Sequence, residues 1–353
     1  MKQSTATVPA LTIGIDLSDD MSTFCAVDAA GDVVLKGTFP TTRPGVAEAF
    51  GDLASCRVVL EASTQTPWVT RELQELGHEV IVANPRNLHL ISKSARKTDA
   101  NDANTLARIG RVDPQLLSPV VPRDEQCLAA RALMGARKKL VQTRTGLISM
   151  VRAECKVHGE RIGNASSEAF ARRARPQVPE LLRLALDPVL DTLDELTRRI
   201  RDYDKEIEKL CEQVYPKTGV LRQVRGVGAL VALAYVTTIG DPTRFRDSRT
   251  VGAYVGLVPR SYQSGKSDPK LRITKQGDPM LRTLLVNAAT HIMRQSAPDC
   301  ALKRLGRRIA NRGNPRDRAR ARIAVARKLS VILHRLLLTG EVYDPMRDVI
   351  KTA

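Results

Sequence analysis

Aromatic residues are scarce: Phe, Tyr and Trp make up 3% of the 353 positions. That excludes rows of bases stacked on aromatic rings as a main mode of nucleic-acid recognition, and leaves more of the work to charge. The six cysteines, Cys25, Cys56, Cys127, Cys155, Cys211 and Cys300, form no CxxC pair, and the five histidines are equally dispersed. Such spacing argues against a zinc site and against a disulfide framework. No apolar run approaches the roughly 20 residues that span a bilayer, and "MKQSTATVPALTIGIDL" lacks an apolar signal core. The expectation is a reducing cytoplasm with no membrane partner.

What is present is positive charge, concentrated in one place. The formal net charge is +18; residues 219 to 353 hold 26 Lys plus Arg against 9 Asp plus Glu, whereas residues 1 to 218 hold 30 against 29. Phosphate backbone is the partner such a C-terminal half most naturally attracts. A ribosome-associated protein and a generally basic soluble protein are the alternatives. Length and a hydrophobic content of 42% fit a folded chain of two or three domains.

Residues 11 to 39 read as three strands, "LTIGIDL", "TFCAVDA" and "DVVLKGTF", in a plausible antiparallel meander. The pattern then alternates: "GVAEAFGDLA" is helical, "RVVLEAS" a buried strand, "PWVTRELQELG" a helix between Pro67 and Gly77, and "HEVIVANP" a further strand. This predicts a mixed α/β sheet with helices on its faces. A helix starting at Thr98 or Asp99 runs to about Arg111, and a longer one from about Asp124 to Glu160. In the next helical stretch Leu190, Leu193, Leu196, Ile200, Tyr203, Ile207 and Leu210 recur at steps of three and four. That spacing suits a coiled-coil partner and equally a helix packed on its own domain. The stretch from Lys303 to Arg335, with 12 Lys plus Arg and one Asp, reads as a basic amphipathic helix pair.

Four acids stand where such elements can gather them. Asp16 lies in "IGIDLS", Glu61 ends "VVLEAS", and Asp99 and Asp102 sit three apart in "KTDANDA", on neighbouring positions of one helix face. Clustered carboxylates repel one another unless a cation intervenes, and oxygen-only ligands favour Mg²⁺ or Mn²⁺. Ordinary roles compete. Asp99 is a natural N-cap, as is Thr98; Asp102 suits a first helical turn; Asp16, before Ser18, Asp19 and Asp20, suits a turn. Glu61 is harder to dismiss, since an unpaired acid beside a core is costly.

"IGIDLS", "VVLEAS" and "KTDANDA", in that order, resemble the DEDD transposases of bacterial insertion sequences, which include the pilin-gene invertases. The N-terminal domain of that family is similar to the RuvC junction nuclease, so the resemblance implies an RNase H-like fold and a metal-binding tetrad of Asp16, Glu61, Asp99 and Asp102. "GLVPRSYQSGKSDPKLRITKQGDPMLRTLL" resembles the family's second signature, in which a serine beside glycine follows "GL.PR" and precedes "K.GD..LR". The matching residues are Ser264, Gly265, Lys275, Gly277, Asp278 and Arg282. The family commonly has two serines before the glycine; here Gln263 takes the first place, and Ser261 and Ser267 rival Ser264.

A serine nucleophile needs help, and metal ions or cations can stabilise the alkoxide and the transition state. Arg260, Lys266 and Lys275 are near in sequence and, with Arg282, are candidate nucleic-acid contacts. The same "QSGKSDP" is also a natural solvated turn between two strands. "VRGVGALVA" has two readings as well: a backbone approach to phosphate with Arg222 and Arg225 alongside, or a tight turn between packed helices.

The expected layout is α/β plus α: a RuvC-like DEDD domain with its trailing helix over 11–160, a helical coiled-coil connector over 161–218, and a basic, mainly helical domain with the serine over 219–345. The resemblance implies an Mg²⁺-dependent transposase or recombinase acting on DNA. It further implies a structured guide RNA and a homo-oligomer, dimer or tetramer, in which one chain's tetrad meets another's serine. A RuvC-like endonuclease hydrolysing DNA junctions, and a noncatalytic nucleic-acid-binding protein, are the rival expectations.

Overall fold

The structure is a computed structural model that describes residues 10–85, 98–263, 271–311 and 314–347. The chain divides into two compact units, Met1–Glu125 and Gln126–Ala353.

In the first unit β1 (Leu11–Asp16), β2 (Met21–Asp28) and β3 (Val33–Pro40) form the expected antiparallel meander. After α1 (Arg43–Phe50) the chain returns as β4 (Arg57–Glu61), parallel to β1, and after α2 (Thr66–Glu75) as β5 (Glu79–Ala83), parallel to β4. The sheet order is β3-β2-β1-β4-β5. This mixed α/β sheet is consistent with the RNase H-like expectation. β1 and β4 lie centrally, so both read as nearly continuous apolar runs: Ile13, Ile15, Val58, Val59 and Leu60 are all fully buried. On one face Phe50 meets Phe39 and Phe24 edge to face, with centroids 5.1 and 5.4 Å apart.

The other face is covered by α3 (Asp99–Val112). Arg57, mostly buried at the start of β4, donates to the Gly110 carbonyl at 3.0 Å and pairs with Glu79 of β5 at 3.0 Å, fastening helix and strands.

The second unit is helical. The long α4 (Glu125–Val157) starts at the boundary, and α5 (Phe170–Ala174) and α6 (Arg183–Gln213) follow. On α6 Leu190, Leu193, Leu196, Ile200 and Ile207 are buried within the unit; Leu190 and Leu193 share a core with Val151 and Cys155 of α4 and Phe170 of α5. The regular stripe therefore packs on its own domain, the second of its two readings. Next come α7 (Thr218–Arg222) and α8 (Ala229–Ile239), then α9 (Val251–Tyr254), α10 (Pro279–Ile292), α11 (Ala301–Ala310) and α12 (Pro315–Thr339). α8 is apolar all round and sits at the centre, as such a helix must. The hydroxyl of its buried Tyr235 donates to the Ser330 carbonyl of α12 at 2.5 Å. α11 and α12 are the expected basic helix pair. Among the described residues no helix is long and apolar enough to cross a membrane.

Candidate active site

The direction of α3 decides where its acids lie. Near its C-terminus Arg111 donates to the Ala29 carbonyl at 3.0 Å, just past the β2 residue that pairs with Leu11, and Gly110 accepts from Arg57 at the start of β4. Midway, a Cβ on Gly14 of β1 would overlap the Ala103 carbonyl oxygen and stand 2.5 Å from the Ala107 nitrogen, so the helix rests directly on the strand. α3 thus runs antiparallel to β1 and β4. Its first turn, with Asp99 and Asp102, heads for the end of the sheet at which Asp16 closes β1 and Glu61 closes β4.

Three of these acids have little freedom. Asp16 and Glu61 are half-buried on adjacent strands, where Ile15 pairs with Leu60 one residue earlier, and Asp102 is only 7% exposed. Asp99 is exposed. The cap of α3 is Thr98, whose hydroxyl accepts from the Asn101 amide at 3.3 Å, so Asp99 does not fill that competing role. The Glu61 carbonyl accepts from the Thr66 hydroxyl at 2.8 Å, which holds the strand end against the start of α2.

The donor chemistry fits a hard divalent cation, because every candidate ligand is a carboxylate oxygen and the elements deliver them to one sheet end. Among the described residues, however, no three His, Cys, Asp or Glu side chains form a group ready to hold a metal ion. The four acids share an end of the sheet without closing into a cage.

The second signature shapes a pair of interlocked loops in the helical unit. Gly256 and Gly277 both take positive φ, +71 and +72°. A Cβ on Gly256 would stand 2.5 Å from the Gln276 nitrogen, and one on Gly277 would overlap the Tyr254 carbonyl oxygen, so each backbone occupies the space of the other's side chain. Asp278 caps α10 through the Leu281 amide at 2.8 Å and pairs with Arg131 of α4. Burial pushes its carboxyl up, but the Leu281 amide and Arg131 outweigh that and hold it below the usual carboxylate range.

Arg282 donates to the carbonyls of Gln276 and Val255, at 2.7 and 3.3 Å, and so bridges the two loops. From these loops the chain runs out and back. Pro259 and Ile273 form an antiparallel bridge, and the Arg260 amide donates to the Arg272 carbonyl at 2.9 Å. Ser261 follows immediately and is exposed. Ser264, Gly265, Lys266 and Ser267 lie outside the described residues.

Other predicted phosphate contacts are distributed unevenly. Arg260 and Lys275 line a groove of about 2060 Å³ in this unit, together with Gln263 and Leu271, which flank the serine segment. Lys275 does so from a left-handed conformation, φ +57°, that few non-glycine residues adopt. Arg222 forms an ion pair with Glu208 at 2.8 Å. Arg225 is exposed beside Gly226, in a small cavity with His291 and Arg294. Gly226 itself has φ +86°, with the Ala288 carbonyl of α10 close by, so the tight-turn reading of "VRGVG" accounts for it. Charge counting marked the basic half from residue 219 and the stretch from Lys303 to Arg335; it could not show that Arg316, Arg320, Arg327 and Lys328 line the same groove as the serine's flanks.

Known proteins match the chain along most of its length. Residues 13–154 match the model of the IS110-type DEDD transposases, and residues 219–305 that of the transposase IS116/IS110/IS902 family. A probable family 20 transposase of Pseudomonas aeruginosa is 30% identical over 80% of this chain and 84% of its own. The transposase for insertion sequence element IS1111A of Coxiella burnetii is 29% identical over 94% of this chain and 90% of its own. A pilin gene-inverting protein of Moraxella bovis is 24% identical over 94% and 97%.

Proposed function

The chain belongs to the IS116/IS110/IS902 family of transposases, and on that premise we propose that it cuts and rejoins DNA by attack of Ser264 on a phosphodiester beside the carboxylates of the first unit. The observation that carries this reading is the arrival of Asp16, Glu61 and the first turn of α3 at one end of the sheet. Asp16, Glu61, Asp99 and Asp102 are the residues that would hold Mg²⁺ or Mn²⁺. A cation bound there supplies Lewis-acid stabilisation of the phosphodiester oxygens.

The protein's own part is to bind and orient DNA and to supply the nucleophile. The Ser264 oxygen forms a bond to phosphorus, its proton passing to solvent, while the bond to the leaving sugar oxygen breaks and that oxygen takes up a proton. One ester replaces another, so the protein-DNA linkage keeps the bond for rejoining. Arg260 and Lys275, in the groove beside the serine segment, are placed to draw in phosphate. A structured guide RNA and a homo-oligomer, dimer or tetramer, that joins one chain's acids to another's serine belong to the same proposal; their support is the family resemblance.

Trapping tests the proposal. Denaturing electrophoresis of the protein after incubation with element-end DNA and Mg²⁺ should show a covalent adduct in the wild type and none in Ser264→Ala. An adduct that survives in Ser264→Ala, or strand cleavage with no adduct at all, would remove the serine from the reaction and leave hydrolysis in its place.

A further inference from the structure

The groove of the second unit is more specific than a cationic surface. Among the described residues ten Arg or Lys side chains line it against three carboxylates, yet much of its wall is aliphatic. Along α12 the lining residues Arg316, Arg320, Ile323, Arg327 and Val331 recur at steps of three and four, so one helix face carries both guanidinium and aliphatic side chains. The opposite face is spent on the core, where Ala321, Val325, Leu329 and Leu333 are fully buried. Half-buried Ile273, beside the interlocked loops, continues the apolar floor. The volume is about twice the upper end, roughly 1,000 Å³, of a small-molecule pocket, so a length of polymer suits it better than a metabolite.

One polar group in the wall has a fixed sense. Buried His334 of α12 has Nε2 2.9 Å from the Pro242 carbonyl, an acceptor only, so Nε2 carries the hydrogen. In the neutral ring Nδ1 then accepts, and its partner at 2.9 Å is the Ser248 hydroxyl. Ser248 lines the groove with its proton committed inward, and its oxygen offers lone pairs alone. It therefore seeks a donor, whereas the arginines around it seek phosphate.

Duplex DNA presents phosphates and base edges but hides its base faces in the stack, so an aliphatic floor gains little from it. An unpaired strand exposes base faces and phosphates together, and guanidinium planes can take the stacking that scarce aromatic rings do not. We infer that this groove binds an unpaired nucleic-acid strand, with bases on the floor of Ile273 and Ile323, phosphates on Arg316, Arg320 and Arg327, and the Ser248 oxygen accepting from a base amino group or a sugar hydroxyl. The inference rests on the nucleic-acid reading above and narrows it to one substrate class.

Fluorescence anisotropy of the full chain in EDTA, where no cleavage intervenes, tests it with one labelled mixed sequence offered as single-stranded DNA, single-stranded RNA and blunt duplex DNA. The unpaired forms should bind about tenfold more tightly than the duplex, and Arg320→Glu and Ile323→Glu should each weaken them about tenfold with under about twofold effect on the duplex. Arg316→Glu, at an exposed position near the start of α12, makes the same test should Ile323→Glu unfold the helix. Preference for RNA that disappears in Ser248→Ala assigns the sugar hydroxyl; equal binding of RNA and DNA assigns the base. Tighter binding of the duplex, or equal losses for all three probes in Arg320→Glu and Arg316→Glu, would overturn the groove's assignment and leave DNA binding intact. No binding of any probe would overturn the broader reading as well.

Discussion

Gly14 of β1 and Ala103 of α3 touch backbone to backbone, with no room for a single carbon between them. That contact sets the height of α3 over the sheet, and with it the position of Asp102 one residue before Ala103. Gly14→Ala forces the helix outward. The expected result is a loss of about 1–3 kcal/mol, the usual cost of overpacking, together with a drop in cleavage larger than that destabilisation explains. Urea unfolding and a cleavage assay on the same preparation check both.

Thr98 and Asp99 can be separated by mutation, because the structure gives the cap to Thr98. Thr98→Ala should cost about 1 kcal/mol of stability. Asp99→Asn should leave the unfolding midpoint nearly unchanged while abolishing cleavage. Full activity in Asp99→Asn would remove it from the proposed ligands.

Asp16→Asn, Glu61→Gln and Asp102→Asn should each abolish strand cleavage while leaving DNA binding within about twofold, since the charge that attracts phosphate lies in the other half of the chain. Electrophoretic mobility shifts beside cleavage assays would show the split. A parallel fall in binding would mean that these acids support the fold instead.

His334 predicts a pH dependence. Burial pushes its pKa below the usual histidine range, against the opposing pull of the Pro242 carbonyl and the Asp247 carboxylate. Above about pH 6.5, the unfolded value, the ring is neutral in both states and its contribution to stability is complete. As pH falls below that value the unfolded chain binds a proton that the folded chain refuses, so stability is lost down to the lower folded pKa. Urea midpoints at pH 7.5 and 5.5 should therefore differ, and His334→Gln should flatten the difference even if it lowers both.

Asp278→Asn keeps an N-cap for α10 but strips Arg131 of its charge partner. Both side chains are largely buried, at 8 and 20% exposure, so the loss should be about 2 kcal/mol. Thermal unfolding measures it, and an Arg131→Met background should shrink the effect if the pair is responsible.

Local patterns carried most of the first unit. Alternation and turn residues marked the meander, and Glu61 stood out because an acid ended an apolar run. The cap of α3 was narrowed to Thr98 or Asp99 and no further, since both residues can cap and only the backbone dihedrals choose. Arg282 illustrates what a sequence hides. Its charge suggested phosphate, whereas its guanidinium bridges the Gln276 and Val255 carbonyls, partners that exist only once the two loops interlock. The bond between Ser248 and His334, 86 residues apart, was equally out of reach, because neither residue belongs to a local motif. The stripe on α6 was read correctly as periodic, but periodicity does not say what covers it.

The run of the chain through the sheet also imposes a timetable. β1 must wait for β4 to gain its parallel neighbour, and Asp102 reaches the sheet end only after α3 has been made and laid on Gly14. Ser264 is added 165 residues after Asp99, roughly 10–30 s later at ordinary ribosomal speeds. On the proposed chemistry, a nascent chain holds the acids well before it has a nucleophile. On the same proposal, a message broken between those two points yields a chain that carries the four acids and lacks the serine that would join it to DNA.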